Sequence, residues 1–223
     1  MQQIAVAGRK VLILIITMFN SLHAAKRTAA VHDRTPEAVK AFIMPQWQLS
    51  DGTIMRSNVI QTERLALRQL GLNDADFILE LLNDDAFLQF IGDKGVRTLD
   101  DACDYLRKGP LESYERRGFG LYAVCLRDGT RTGICGLVKR DGLEDVDIGF
   151  AFLSKYRAKG YAVESAAATL EHARRVLGLR RVVAITSPQN AGSIAVLERI
   201  GLKFERLVRV AEHGPELKLF GPA

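Results

Sequence analysis

The richest chemistry in this 223-residue chain sits in eight consecutive residues, Ser154–Lys155–Tyr156–Arg157–Ala158–Lys159–Gly160–Tyr161. Three cations, Lys155, Arg157 and Lys159, stand beside one glycine. The residues before them, from Asp147, place Ile148, Phe150 and Phe152 in alternation, which predicts a strand. The residues after them space Val163, Ala166, Ala167 and Leu170 as one face of a helix. The first N–H groups of a helix have no partner within it, and they sit at the positive end of its dipole. Behind a basic loop they can hold an anion such as a phosphate, and Gly160 lets the backbone come close. A basic turn in plain solvent fits the same eight residues.

Three carboxylates open the strand before this loop. Asp145 and Asp147 point to one of its faces, Val146 and Ile148 to the other. Asn190 stands where it can cap a helix over Ala191–Ile200 that stops at Gly201. One side chain there can cap through its oxygen and donate through its nitrogen. Cys103, Cys125 and Cys135 have no C-x-x-C spacing and read as buried reduced thiols, with no zinc site or disulfide framework. His213 reads as a surface loop residue.

The elements that must position these groups follow from Val59 onward. Alternation predicts a strand over Gln61–Arg68. Asn73 is placed to cap a helix carrying Phe77, Ile78, Leu81 and Leu82. Phe87–Ile91 reads as a short helix or turn. Thr98 caps another helix, and Pro110 is placed to start one more, ending near Gly118. Gly120–Leu126 and Thr132–Lys139 form a hairpin about Asp128–Gly129. A turn at Asp141–Gly142 leads to the strand Asp145–Leu153, then the loop, then a long helix closing with Arg174, Arg175 and Gly178. Arg180–Thr186 is a buried strand, and Lys203–Val210 with Glu216–Phe220 a final pair. The expected fold is mixed α/β (α+β): a twisted, mainly antiparallel sheet with helices on both faces.

Two motifs in order carry a resemblance. Arg157–Ala158–Lys159–Gly160–Tyr161–Ala162 is similar to the R/Q-x-x-G-x-G/A pyrophosphate loop of the GNAT N-acetyltransferases. Asn190–Ala191–Gly192–Ser193, followed by Leu197–Glu198–Arg199–Ile200–Gly201–Leu202, resembles their second signature, N-x-x-S then L-x-x-x-G-F. The pair resembles most the branch holding ribosomal-protein N-terminal acetyltransferases, over about Val59 to Leu219. The resemblance implies acetyl transfer from acetyl-CoA, as co-substrate, to an amine. It implies that Arg157, Lys159, Gly160, Tyr161 and Ala162 contact the pyrophosphate, mostly through backbone. It implies a splayed strand whose freed backbone at Phe150–Leu153, Phe152 and Leu153 among them, pairs with the pantetheine, with Asn190 reaching the same arm.

The resemblance also sets expectations for catalysis. Many relatives carry a tyrosine seven residues after the asparagine; here that position is Leu197. The ribosomal-protein branch has a serine matched by Ser193, which implies a hydrogen bond to the leaving thiolate, direct or through water. Asp147 matches the acidic residue before Ile–Gly in that branch, and it is expected to hold the ammonium or accept its proton through water; Glu144 is the alternative. Phe87, Phe90 and Tyr105, with Asp84, Asp85 and Asp93, would wall the acceptor site and suit a cationic amine, or form an ordinary core and solvated face.

Composition bounds the rest. A chain that is 48% hydrophobic suits one domain with a sizeable core. The net charge of +5 is concentrated near the start: residues 1–54 hold six Lys or Arg against three Asp or Glu, and the remainder 25 against 23. That distribution does not describe a nucleic-acid-binding domain. Residues 1–54 read as an extension, with 55–223 the catalytic domain. Arg9–Lys10 and the apolar run Val11–Phe19 resemble a signal peptide, but the run falls short of the roughly 20 residues a membrane span needs. The extension is expected to be dispensable, signal-like or a functional appendage. The expected protein is a cytoplasmic acyltransferase, monomer or homodimer, without stable membrane insertion, metal or nucleic acid. Its acceptor is a peptide or protein N-terminus, or alternatively a small amine such as a polyamine, amino acid or antibiotic. A non-catalytic acyl-CoA-binding module is the remaining alternative.

Overall fold

The computed structural model describes residues 48–50, 53–55 and 58–222. A small hairpin pairs β1 (Gln48–Ser50) with β2 (Thr53–Met55). The expected division after Ile54 falls inside β2, and the signal-like run lies outside the described residues.

Hydrophobic alternation then builds the main sheet. Its strands are β3 (Asn58–Gln61), β4 (Leu65–Gln69), β5 (Leu121–Leu126), β6 (Arg131–Val138), β7 (Val146–Phe152), β8 (Val182–Thr186), β9 (Leu202–Val208) and β10 (Leu217–Pro222). Their order is β3-β4-β5-β6-β7-β8-β10-β9, antiparallel at every pairing except β7–β8. Central strands are apolar on both sides, so the sheet has two cores. Tyr122, Val124, Cys135, Leu137 and Ile148 face one. Ala123, Cys125 and Ile134 face the other, with Phe77, Ile78, Leu81 and Leu106 from the helices. All three cysteines are free; burial pushes the Cys135 thiol up to about 11, so it is an inert packing group.

The helices are α1 (Ala75–Leu82), α2 (Asp85–Phe90), α3 (Leu99–Leu106), α4 (Glu112–Arg117), α5 (Tyr161–Arg175) and α6 (Ala191–Arg199). Thr98 caps α3 as expected, in a reciprocal box with Asp101.

Four expectations change. The strand expected over Gln61–Arg68 is a hairpin, β3 to β4, because Thr62 turns the chain: its Oγ1 accepts the Leu65 N–H at 3.0 Å. Asn73 does not cap α1. It lies in a 3₁₀ turn, Leu72–Asp74, held by Asp74, which is 1% exposed, pairs with Arg68 through both oxygens and accepts the Gly71 N–H. Pro110 does not start a helix. It sits within a π turn, Arg107–Leu111, that joins α3 to α4; the wider turn makes room for a ring that would clash in an α-helix. On α5, Ala167 is exposed, and Ser165, Ala166, Thr169 and Ala173 face the sheet. The two hydroxyls are satisfied within the helix, Ser165 donating to Tyr161 O and Thr169 to Ser165 O, each at 2.8 Å.

Candidate active site

β7 and β8 are paired at only two positions, Val146 with Val182 and Asp147 with Val183. Beyond them β7 remains bonded to β6 as far as Phe152, while β8 turns to β10. The strands part, and a cavity of ≈ 840 Å³ occupies the gap. Ile148 to Phe152 line one side, and Ala184 to Ser187 with the start of α6 line the other.

The basic loop forms one end. Gly160 precedes α5 with φ +80, a left-handed backbone that glycine adopts without cost. Ala158 takes φ 57 without that freedom, a cost of about 1–2 kcal/mol. Among the described residues, no acceptor meets the backbone N–H groups of Gly160, Tyr161, Ala162 or Val163. Four donors at the positive end of a 15-residue helix face the cavity.

Two braces hold this loop. Arg64, from the β3–β4 turn, donates to Lys159 O at 3.0 Å, pairs with Glu164 at 2.7 Å and lies over the Tyr161 ring. Asp84 does the same from the other side. Its carboxylate caps α2 through the Ala86 N–H, accepts the N–H and Oγ of Ser154 at 3.0 and 2.7 Å, and pairs with Arg157. Burial works against the ionised form of Asp84, but the bonds from Ser154 and Arg157 outweigh it and lower its pKa.

Several expected contact residues meet at the cavity, and two do not. Phe152, Arg157, Gly160, Tyr161, Ala162, Asn190, Ser193 and Asp147 all line it. Leu153 does not: it is 4% exposed in the opposite core, its N–H donates to Thr132 O and its carbonyl accepts from Tyr156. Lys159 is also off the lining, with its Nζ over the Tyr156 ring. The Phe152 carbonyl is taken by Arg157 Nε at 2.9 Å. The strand edge left for a ligand therefore lies earlier than expected, at Ile148–Ala151. Arg157 is partly committed as well, which makes it a loop brace whose charge remains beside the helix terminus.

Asn190 caps α6, its Oδ1 accepting the Ser193 N–H at 2.9 Å. That leaves its Nδ2 to donate. The Ser193 hydroxyl has no partner among the described residues and lies on the lining, as does the buried Leu197.

At the far end stands Asp147, 1% exposed and paired with Arg140 at 3.0 Å through Oδ2. Its Oδ1 is buried without a hydrogen-bond partner among the described residues. Burial raises the Asp147 pKa, and Arg140 opposes that only in part. Asp145, expected on the same face, is tied instead to Arg181 at 2.8 Å. Of the two readings open for Asp84, Asp85 and Asp93, the acidic acceptor wall is not the one these contacts fit. Asp84 holds the loop, Asp93 pairs with Arg97 and bonds Gly95, and Asp85 is off the lining. The charged residues at this end are Lys94, Arg140 and Asp147, beside Phe87, Phe90 and Ile91 of the α2 region. Sequence reasoning passed over Lys94 and Arg140. The β6–β7 register, Val138 opposite Asp147, carries a signal for Arg140, because two residues on it stands across from the strand start.

A phosphate nest, a freed strand edge and an elongated cleft fit a pantetheine-bearing nucleotide. Comparison with known proteins agrees. Residues 64–203 match the family model described as the acetyltransferase (GNAT) domain. The chain is 31% identical over 147 residues to the uncharacterized N-acetyltransferase YnaD of Bacillus subtilis (strain 168), covering 66% of this chain and 83% of that protein. A GNAT-family acetyltransferase structure from Bacillus anthracis superposes with TM-score 0.61 at 27% identity, covering 73% of this chain and 96% of that one. RimL, the ribosomal L7/L12 alpha-N-protein acetyltransferase solved with coenzyme A, shares the fold at TM-score 0.64 and 17% identity, over 74% and 97% of the two chains. With well over half of its length matching that family model, this chain belongs to the GNAT acetyltransferases, acyltransferases that take acetyl-CoA as co-substrate.

Proposed function

We propose that the acceptor is the N-terminal amine of a peptide or protein. One observation supports this: the fold is shared with RimL, a ribosomal L7/L12 alpha-N-protein acetyltransferase. Acetyl-CoA supplies the acetyl group as a thioester. The N–H groups of Gly160 to Val163 would hold its pyrophosphate, with Arg157 adding charge, and the Asn190 amide would donate to the pantetheine arm. The freed edge of β7 would offer a backbone donor to the thioester carbonyl oxygen.

Two side chains carry the proton work in this reading. Asp147, whose pKa burial has raised, would draw a proton from the acceptor ammonium through water. Ser193 would donate a hydrogen bond to the sulfur as the carbon–sulfur bond breaks and the carbon–nitrogen bond forms. The observation that carries the reading is the pair of strands parted at Asp147, with the loop at one end of the gap and that buried carboxyl at the other. The test is a thiol-release assay over peptides with free N-termini, polyamines, amino acids and aminoglycosides. Peptide-selective turnover supports it. Turnover confined to small amines moves the acceptor to that class, and acetyl-CoA binding without turnover of any amine leaves a binding module.

A further inference from the structure

The acceptor end of the cavity has an excess of positive charge. Arg140 reaches Asp147 through Nε alone. Its two Nη groups have no partner among the described residues, and the residue lines the cavity. Lys94, from the loop after α2, lines the same cavity and makes no ion pair among the described residues. Burial lowers its pKa and the nearby charge of Arg140 lowers it further, so the two cations are close enough to repel. Two cations that share the single carboxylate of Asp147 leave one positive charge uncompensated, an anion site in waiting. The other acidic residues of this region do not supply the counter-ion, since Asp84 and Asp93 are paired elsewhere and Asp85 is off the lining.

Resting on the acetyltransfer reading above, we propose that Lys94 and Arg140 form an anion subsite, and that the acceptor is an amine carrying a carboxylate close to its nitrogen. The order of charge along the wall, negative at Asp147 and then positive at Arg140 and Lys94, is the complement of an ammonium followed by a carboxylate. A guanidinium gripped at Nε presents its Nη edge in a fixed direction, which favours two-point contact with a carboxylate. Asp147 thereby has a second task, orienting Arg140. The carboxylate can be an acidic side chain beside a peptide N-terminus or the α-carboxylate of a free amino acid.

Matched pairs of acceptors decide it. One pair is the peptide amides Ser-Glu-Ala and Ser-Gln-Ala; the other is serine and serinamide. Each is assayed for kcat/KM, and each is titrated calorimetrically onto protein saturated with coenzyme A, so that binding is read even where turnover is absent. In at least one pair the carboxylate member should be preferred by about tenfold. A preference in the first pair assigns the peptide source, and in the second the free amino acid. Lys94→Glu should abolish or reverse that preference, and added salt should reduce it. Lys94 sits on a surface loop, its side chain sheltered only in part by the cavity mouth, and makes no ion pair among the described residues, so this variant should fold; Arg140→Lys gives an independent reading by keeping charge and losing the fork. Equal treatment of both members in both pairs overturns the subsite, as does a preference that survives Lys94→Glu and Arg140→Lys alike. Absence of turnover with every amine, alongside a carboxylate preference in binding, would instead overturn the catalytic reading and leave the subsite standing.

Discussion

Replacing Asp84 with alanine tests whether the cofactor loop is held in shape before the cofactor arrives. The side chain is only 8% exposed and serves three partners at once. Losing the α2 cap costs about 1 kcal/mol. The two Ser154 bonds go to a charged acceptor and would be worth about 1.5 kcal/mol each, but Ser154 is exposed and water can replace much of that. The pair with Arg157, which is 38% exposed, adds at most about 1 kcal/mol. A total loss near 3 kcal/mol is expected, read as a lower denaturation midpoint at unchanged slope. Asp84→Asn can keep the cap and one Ser154 bond, so it should lose about 1 kcal/mol.

The pH dependence has a definite sign. The folded-state pKa of Asp84 is lowered, so its stabilisation is present above the ordinary carboxylate range and fades as pH falls through it. The wild type and the alanine variant should therefore converge in stability toward acid pH. For function, a loop that must be reordered on binding should cost about tenfold in acetyl-CoA affinity, or 1.4 kcal/mol. Calorimetry at neutral pH measures it. Unchanged affinity would show that the Arg64 brace suffices alone. Tighter binding would refute the reasoning outright, because it would mean that Asp84 competes with the pyrophosphate for Arg157.

Other perturbations separate the remaining roles. Gly160→Asp forces a side chain onto φ +80, sets its Cβ about 3.2 Å from Arg64 Nη2 and brings a carboxylate to the nest; acetyl-CoA affinity should fall at least about tenfold, and calorimetry showing no change would remove the anion site. Ser193→Ala should lower kcat by about 10²-fold, the low end for proton-transfer help, with the acetyl-CoA Kd nearly unchanged; an unaltered kcat returns Ser193 to helix packing. Asp147→Asn should cut the rate most near neutral pH and regain some of it at high pH, where the amine is already neutral, whereas an equal loss at every pH would make the residue structural. Because burial raises the Asp147 pKa, the ionised form weighs against the fold as pH rises, so the stability of Asp147→Asn relative to wild type should climb with pH. A chain shortened to Met55–Ala223 should still bind acetyl-CoA; an insoluble product, or one that melts far below the full chain, would make the first 54 residues part of the fold.

What the sequence disclosed depended on how local the information was. The loop at Arg157–Ala162 and the Asn190–Ser193 pair are short motifs with their mechanism inside them, a glycine before a helix and an asparagine cap, and both lie on the cavity. The acceptor end was illegible for the opposite reason. Arg140, Lys94 and Asp147 come from separate elements and meet only through the β6–β7 register and the loop after α2. Asp84 looked like part of an acidic wall because its partners lie 70 and 73 positions away. The buried face of α5 was misjudged at Ala167 because an apolar count cannot see that Ser165 and Thr169 bury their hydroxyls on their own backbone. Pro110 misled because the chain passes through it in a π turn that runs α3 into α4, where a helix start would have had a break before it.

The brief β7–β8 contact has a consequence for cooperativity. Five strands, β3 to β7, form one continuous ladder, and β8, β10 and β9 form another; only two residue pairs join them. Protection against amide hydrogen exchange should follow that seam, with the three-strand ladder opening at a lower free energy than the five-strand one. A ligand that bonds to both lips of the gap would splint the two ladders into one exchange unit, and slowed exchange in β9, far from any ligand atom, would be its signature.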